Sequence, residues 1–208
     1  MKYFVFDIGG VLNNTQSKEF KKFFTLKNYY DENNDKANNL RKELLGYYME
    51  GKIDFNEFIE TMRPYLVDKK KSAEEYEAEY KENLKNNSFI FEDREEIIEK
   101  IKEDGHKVYL LSNLTPIDYE LFKERFDTSL LDGKFLSYEL GLLKPNKSIY
   151  DRVIYEIGCD PRSIYYFDDK QSNIDSSKEC FINGILTNGN GLKESVDKTL
   201  KQIKKLKM

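Results

Sequence analysis

Four apolar residues, Tyr3-Phe4-Val5-Phe6, run unbroken into Asp7-Ile8-Gly9-Gly10-Val11 almost at the start of the chain. A strand with no polar face is covered on both sides, as strands are in parallel sheets packed between helices. The motif recurs. Val108-Tyr109-Leu110-Leu111 ends in Ser112-Asn113, Ile164-Tyr165-Tyr166-Phe167 ends in Asp168-Asp169, and a shorter run, Ile185-Leu186-Thr187, follows. Helical patterns separate these runs, which implies right-handed crossovers and an α/β fold: a Rossmann-like parallel sheet with helices on both faces. Open sheets of this kind bind ligands at the carboxyl ends of their strands. Asp7, Ser112, Asn113, Asp168 and Asp169 all stand at such ends.

Apolar periodicity marks the intervening helices. Ile97, Ile98 and Ile101 form one stripe, stopped by Gly105. Thr115-Pro116 opens a helix carrying Ile117, Leu121 and Phe122, with proline in its favoured first position. Ile149, Val153, Ile154 and Ile157 form a third stripe, and Leu192, Val196, Leu200, Ile203 and Leu206 a fourth. Residues 15–87 interrupt this alternation. There Phe20, Phe23 and Phe24, then Ala37, Leu40, Leu44, Leu45 and Tyr48, make helical stripes. Asp54 with Glu57, and Ser72 with Glu75, make capping boxes ahead of two further helices. The expected organisation is a core of residues 1–14 and 88–208 with an inserted four-helix cap over 15–87. The aromatics Phe20, Phe23, Phe24, Tyr29, Tyr30, Tyr47 and Tyr48 are expected in the core of that bundle.

Composition narrows the function. With 34 Lys and Arg against 38 Asp and Glu, the net charge of −4 argues against nucleic acid as a partner. No apolar run reaches the roughly 18 residues of a membrane span. Asp7 interrupts the first apolar segment too early for a signal peptide. A cytoplasmic protein, monomeric or homodimeric, is expected. Cys159 and Cys180 fall in predicted helical stretches without CxxC spacing and read as reduced, partly buried thiols.

If the strand ends converge, Asp7, Asp168 and Asp169 crowd three carboxylates into one cleft. Such a cluster calls for a hard divalent cation, most naturally Mg²⁺. The order of these segments, with Gly141-Leu142-Leu143-Lys144-Pro145 between the second and third, resembles the haloacid dehalogenase-like hydrolase superfamily. The resemblance covers residues 1–13 and about 88–190. Tyr47-Tyr48-Met49-Glu50-Gly51-Lys52-Ile53-Asp54-Phe55 is similar to the cap segment of a subfamily that includes sugar-phosphate phosphatases and the phosphatase domains of epoxide hydrolases.

The resemblance implies a small phosphorylated substrate and a mechanism. Asp7 would be the nucleophile, forming an aspartyl-phosphate that water cleaves. The metal would be held by Asp7, the backbone carbonyl of Gly9 and the acidic pair Asp168-Asp169, with Asp169 preferred as the direct ligand and Asn173 orienting one of the two. Ser112 would donate to a phosphoryl oxygen, with backbone N–H groups of Ile8, Gly9 and Asn113 around it. Lys144 would supply fixed positive charge. In isolation Ser112 reads as a helix cap and Lys144 as a surface lysine; the full set favours the site.

Gly9 departs from the superfamily's usual phosphatase pattern, which has a second Asp two residues after the nucleophile. That acid protonates the leaving oxygen, and such catalysis contributes about 10²–10⁴-fold. His106, the single histidine, precedes its strand and falls at the opposite edge of the sheet from Asp7. Three readings follow: a slow or selective phosphatase, with sugar phosphates among its candidate substrates; a 2-haloacid dehalogenase, whose halide leaves without a proton; or a phosphate-binding regulatory protein. Dehalogenase relatives lack the acidic pair and need no metal, so Asp168-Asp169 ranks the phosphatase first.

Overall fold

The computed structural model describes residues 1–14, 26–31 and 33–206 of the chain. Its strands, in chain order, are β1 (Tyr3–Phe6), β2 (Asn13–Asn14), β3 (Phe89–Ile90), β4 (Lys107–Ser112), β5 (Gly133–Leu136), β6 (Ile164–Asp168) and β7 (Asn183–Leu186). Five of them form a parallel sheet in the order β5-β4-β1-β6-β7. The described helices are α1 (Asp35–Met49), α2 (Phe55–Met62), α3 (Ala73–Asn87), α4 (Arg94–Glu103), α5 (Pro116–Lys123), α6 (Ser137–Leu140), α7 (Lys147–Ile157), α8 (Gln171–Glu179) and α9 (Leu192–Lys205).

The all-apolar first strand has the environment its composition demands. Side chains alternate across a strand. Phe4 and Phe6 therefore pack on one face with Ile97, Ile98 and Ile101 of α4 and with Val196 and Leu200 of α9. Val5 packs on the other face with Ile149 and Val153 of α7 and Ile174 of α8. In the register, Phe6 is level with Leu110 of β4 and Phe167 of β6. The next residues, Asp7, Leu111 and Asp168, consequently leave the sheet at one rim.

A separate cluster joins α1, α2 and α3 through Leu44, Tyr48, Phe55, Phe58, Tyr80 and Leu84, and takes in Ile117 from α5. Both chain crossings between this helical layer and the sheet run through one antiparallel ribbon, where Asn13 pairs with Ile90 and Asn14 with Phe89. The buried Arg94 braces the crossing. Its Nε donates to the Val11 carbonyl at 3.0 Å and its Nη2 to the Gly189 carbonyl, tying the loop after β1 to the loop before α9. The turn after α1 sits hard against α6. Gly51 has φ +66°, and a Cβ there would lie 2.3 Å from the Tyr138 carbonyl oxygen, so both backbone and space require glycine.

Several expectations need correction. The stripe Phe20, Phe23 and Phe24 lies outside the described residues and is left as an expectation; among the described residues, α1, α2 and α3 are the α-helices between 26 and 87. Tyr29, Tyr30 and Tyr48 are buried, but Tyr47 is 37% exposed and donates its hydroxyl to Glu43. The last strand begins at Asn183, two residues earlier than Ile185, and Leu206 falls past the end of α9 in solvent. Cys159 and Cys180 sit just beyond helix ends rather than within helices, and both are free thiols. The ribbon and β5 were not anticipated, because two adjacent asparagines carry no strand pattern and β5 starts at a glycine. His106 lies before β4, stacked on Phe4, at the edge opposite Asp7. No described helix is long and apolar enough to cross a membrane.

Candidate active site

Lys144 is the centre of the rim. Its side chain is 2% exposed, and its ammonium donates to three oxygens: Leu111 O at 2.9 Å, Asp168 Oδ2 at 2.8 Å and Asp7 Oδ1 at 2.9 Å. All three of its protons therefore have partners. Asn113 fixes the backbone of the same residue: its Nδ2 donates to Lys144 O at 2.8 Å and its Oδ1 accepts from Lys144 N at 2.9 Å. The surface-lysine reading does not apply.

Asp7 is buried, and among the described residues its donors converge on one oxygen. Oδ1 accepts from Ser112 Oγ at 2.7 Å, from the Ile8 N–H at 2.8 Å and from Lys144. The Ile8 N–H, expected to face phosphate, is thus engaged by the nucleophile candidate itself. Ser112 does not cap α5; Thr115 does, in a capping box with Asp118. The glycine that takes the left-handed turn after β1 is Gly10, with φ 81°.

The two acids of the last motif have different surroundings. Asp168 is fully buried and saturated: Oδ1 accepts from Lys170 N at 2.8 Å and Asn173 Nδ2 at 3.0 Å, and Oδ2 from Lys144, Asn173 and the Tyr166 hydroxyl. Asp169 is half-buried and lines the same cavity as Asp7, Gly9, Ser112, Asn113 and Lys144. Sequence reasoning found Asn173 but took Tyr166 only as part of an apolar run. Its position two residues before Asp168, on the same side of the strand, was the available signal.

The electrostatics follow from this packing. Burial pushes the Asp7 carboxyl above the usual carboxylate range; Lys144 opposes the shift and the charge of Asp168 reinforces it. Burial also pushes Asp169 up, again with help from Asp168. For Asp168 the burial penalty is outweighed by Lys144 and its hydrogen bonds, so its carboxyl stays below the ordinary value. Burial alone would lower the Lys144 ammonium, yet the two carboxylates hold it above a free lysine.

Three carboxylates thus face one ammonium. One oxygen from each of Asp7, Asp168 and Asp169 lies within 4.8 Å of the others. An all-oxygen donor set with excess negative charge fits a hard divalent cation.

The cavity beside these groups has a volume of about 330 Å³. Its floor is the sheet rim, and its walls come from α1, α3, β3 and α5. One wall residue, Asp118, is a titratable group the sequence did not single out. Its Oδ2 accepts from Thr115 N at 2.9 Å and Thr115 Oγ1 at 2.7 Å, and its Oδ1 from Tyr80 OH at 3.4 Å.

The chain belongs to the haloacid dehalogenase-like hydrolases, whose family model matches residues 1–180. Its fold is that of a HAD family enzyme, bt-2542, from Bacteroides thetaiotaomicron. The two share 22% identity over 91% of this chain and 94% of that one, with a TM-score of 0.76. A structure of the same enzyme in complex with magnesium and inorganic phosphate matches with a TM-score of 0.74 and 23% identity, over 91% of this chain and 95% of that one. A sesquiterpene phosphatase, astK, from Aspergillus oryzae is 26% identical over 90 residues, 43% of this chain and 46% of that protein. The match therefore spans less than half of that curated relative.

Burial raises the Asp118 carboxyl from 3.8 to about 6, against the opposing bonds from Thr115. The native state then binds this proton more tightly than the unfolded chain does. The stabilisation is complete below 3.8 and is lost as pH rises through about 6. Asp118→Asn removes the slope. Its stability relative to the parent should rise between about pH 4 and about pH 7 by at most about 3 kcal/mol. Urea midpoints across that range test this, and an unchanging difference would contradict a raised carboxyl.

Proposed function

We propose that this chain is a Mg²⁺-dependent phosphatase of small phosphomonoesters, working through an aspartyl-phosphate on Asp7. The observation that carries the reading is the Lys144 ammonium held between Asp7 and Asp168, with a third carboxylate at the same cavity. Support also comes from the magnesium and phosphate complex of bt-2542 and from the phosphatase activity in astK's name. Residues 1–14 and 88–208 act as the catalytic core and 15–87 as a cap that closes the cavity and excludes water.

Asp7 attacks phosphorus through its carboxylate, and the P–O bond to the leaving group breaks opposite to the bond being formed. Lys144 balances charge on the transferring group and keeps Asp7 ionised against the effect of burial. Ser112 turns its hydroxyl from Asp7 toward a phosphoryl oxygen. Backbone groups of Gly9 and Asn113 line the same space. Asp168 positions Lys144, because its own oxygens already accept from Lys144, Tyr166, Lys170 and Asn173. Mg²⁺ would be held by Asp7, the Gly9 carbonyl and Asp169, and when bound it offsets the carboxylate charge and polarises the phosphoryl group. Haloacid hydrolysis needs no cation, and three convergent carboxylates stand against it.

A turnover screen of phosphate esters and short haloacids, each with Mg²⁺ and with EDTA, tests the reading. Phosphate release should need Mg²⁺, and Asp7→Asn should lower it about 10³-fold or more. EDTA-insensitive halide release would contradict it. Gly9 leaves the leaving oxygen without a side-chain acid, so good leaving groups should react fastest. Gly9→Asp should raise turnover of poor leaving groups by up to about 10²-fold while changing activated esters little. Equal effects on both would show that leaving-group protonation does not limit the rate.

A further inference from the structure

The phosphatase reading leaves open what the ester carries besides phosphate, and the walls of the cavity bear on this. Above the polar rim, the space is bounded by Met49 at the end of α1, Leu84 on α3, Ile90 on β3, Leu114 in the turn before α5, and Leu121 and Phe122 on α5. These side chains come from both sides of the ribbon that joins the helical layer to the sheet, so they surround the space.

Arg125, Ser88 and Asp118 on these walls are hydrogen-bonded to their neighbours, and Lys170 lines the cavity beside Asp169. Arg125 donates through Nη2 to Lys85 O at 2.6 Å and through Nη1 to Ser88 O at 2.5 Å. Ser88 donates its hydroxyl to Leu84 O at 2.8 Å. Asp118 accepts from Thr115 and Tyr80. Asn13, whose Oδ1 has no partner among the described residues, lies in β2 and is bridged to Gly9, at the rim end of the cavity. Hydroxyls of a polyol set against Met49, Leu84, Ile90, Leu114, Leu121 and Phe122 would find no partner on those side chains, at about tenfold or more in affinity for each. An alkyl or alkenyl chain would need no such partners. About 330 Å³ is near the lower end for small-ligand pockets and holds a phosphoryl group with a chain of several carbons.

We infer that the substrate is a phosphomonoester of an apolar alcohol, its phosphate on the carboxylate and lysine rim and its hydrocarbon between the helical layer and α5. This inference rests on the phosphatase reading of the same cavity. It departs from the sugar phosphates that the cap sequence suggests.

The test compares methyl, propyl and hexyl phosphate with glucose 6-phosphate as substrates under Mg²⁺, alongside calorimetric binding of methyl-, propyl- and hexylphosphonate, which cannot be hydrolysed. Each added methylene should raise kcat/KM and phosphonate affinity about fourfold. Leu121→Gln, which puts an amide into the wall, should reduce that gain. Turnover that is flat along the series, or that favours glucose 6-phosphate, would overturn the inference and leave the phosphatase reading standing. Phosphonates that bind tighter with chain length while no ester is hydrolysed would support the apolar pocket and overturn the phosphatase reading. Absence of both binding and turnover would overturn both.

Discussion

The arrangement depends on one buried ammonium. Lys144 carries its charge into a space that is almost free of solvent, a state that is costly unless every proton has a partner and a counter-charge is close. Leu111 O, Asp168 and Asp7 supply those partners. Asp168 is held in turn by Tyr166, Asn173 and Lys170, and the Lys144 backbone is clamped by Asn113. Residues from β4, β6, α8 and the loops that follow β1, β4 and β6 therefore constrain each other through a single cation. The electrostatic result is a nucleophile candidate fixed through one oxygen, with negative charge still in excess around it. On the proposed reading, this is where a positive ion and a phosphoryl group are received together.

The fold positions these groups by register more than by local structure. β1 pairs with β4 and β6 so that Phe6 is level with Leu110 and Phe167, and the groups around Lys144 begin one residue later with Asp7, the Leu111 carbonyl and Asp168. A shift of one residue in β1 would exchange Phe4 and Phe6 for Val5 across the sheet and turn Asp7 away from the rim. Packing of the apolar strand thus protects the geometry of the carboxylate that follows it.

Much of this was legible in the chain. Apolar runs ending in Asp7, Ser112 and Asp168 announced a parallel sheet and the rim that carries the candidate site, since both signals are local. The partners of Asp168 were only half legible: Asn173 was singled out by the family resemblance, since its helix is polar almost throughout, whereas Tyr166 hides in a hydrophobic run and shows its role only when its hydroxyl reaches the carboxylate. Arg94 was missed for a related reason. Nothing in its neighbourhood distinguishes it from the surface arginines, and its burial depends on carbonyls 83 and 95 residues away. The cavity walls were least legible, because Leu84 and Leu121 fall at helical spacing that predicts core equally well, and Met49 lies in the cap-like segment with nothing to mark it as a wall residue.

Chemical trapping of the nucleophile tests the central claim most directly. Protein mixed with a phosphomonoester and Mg²⁺, quenched during turnover and reduced with borohydride, should carry homoserine in place of Asp7, with none formed in EDTA. Continued phosphate release without modification of Asp7, or a phosphoryl group found on Ser112 instead, would contradict the account.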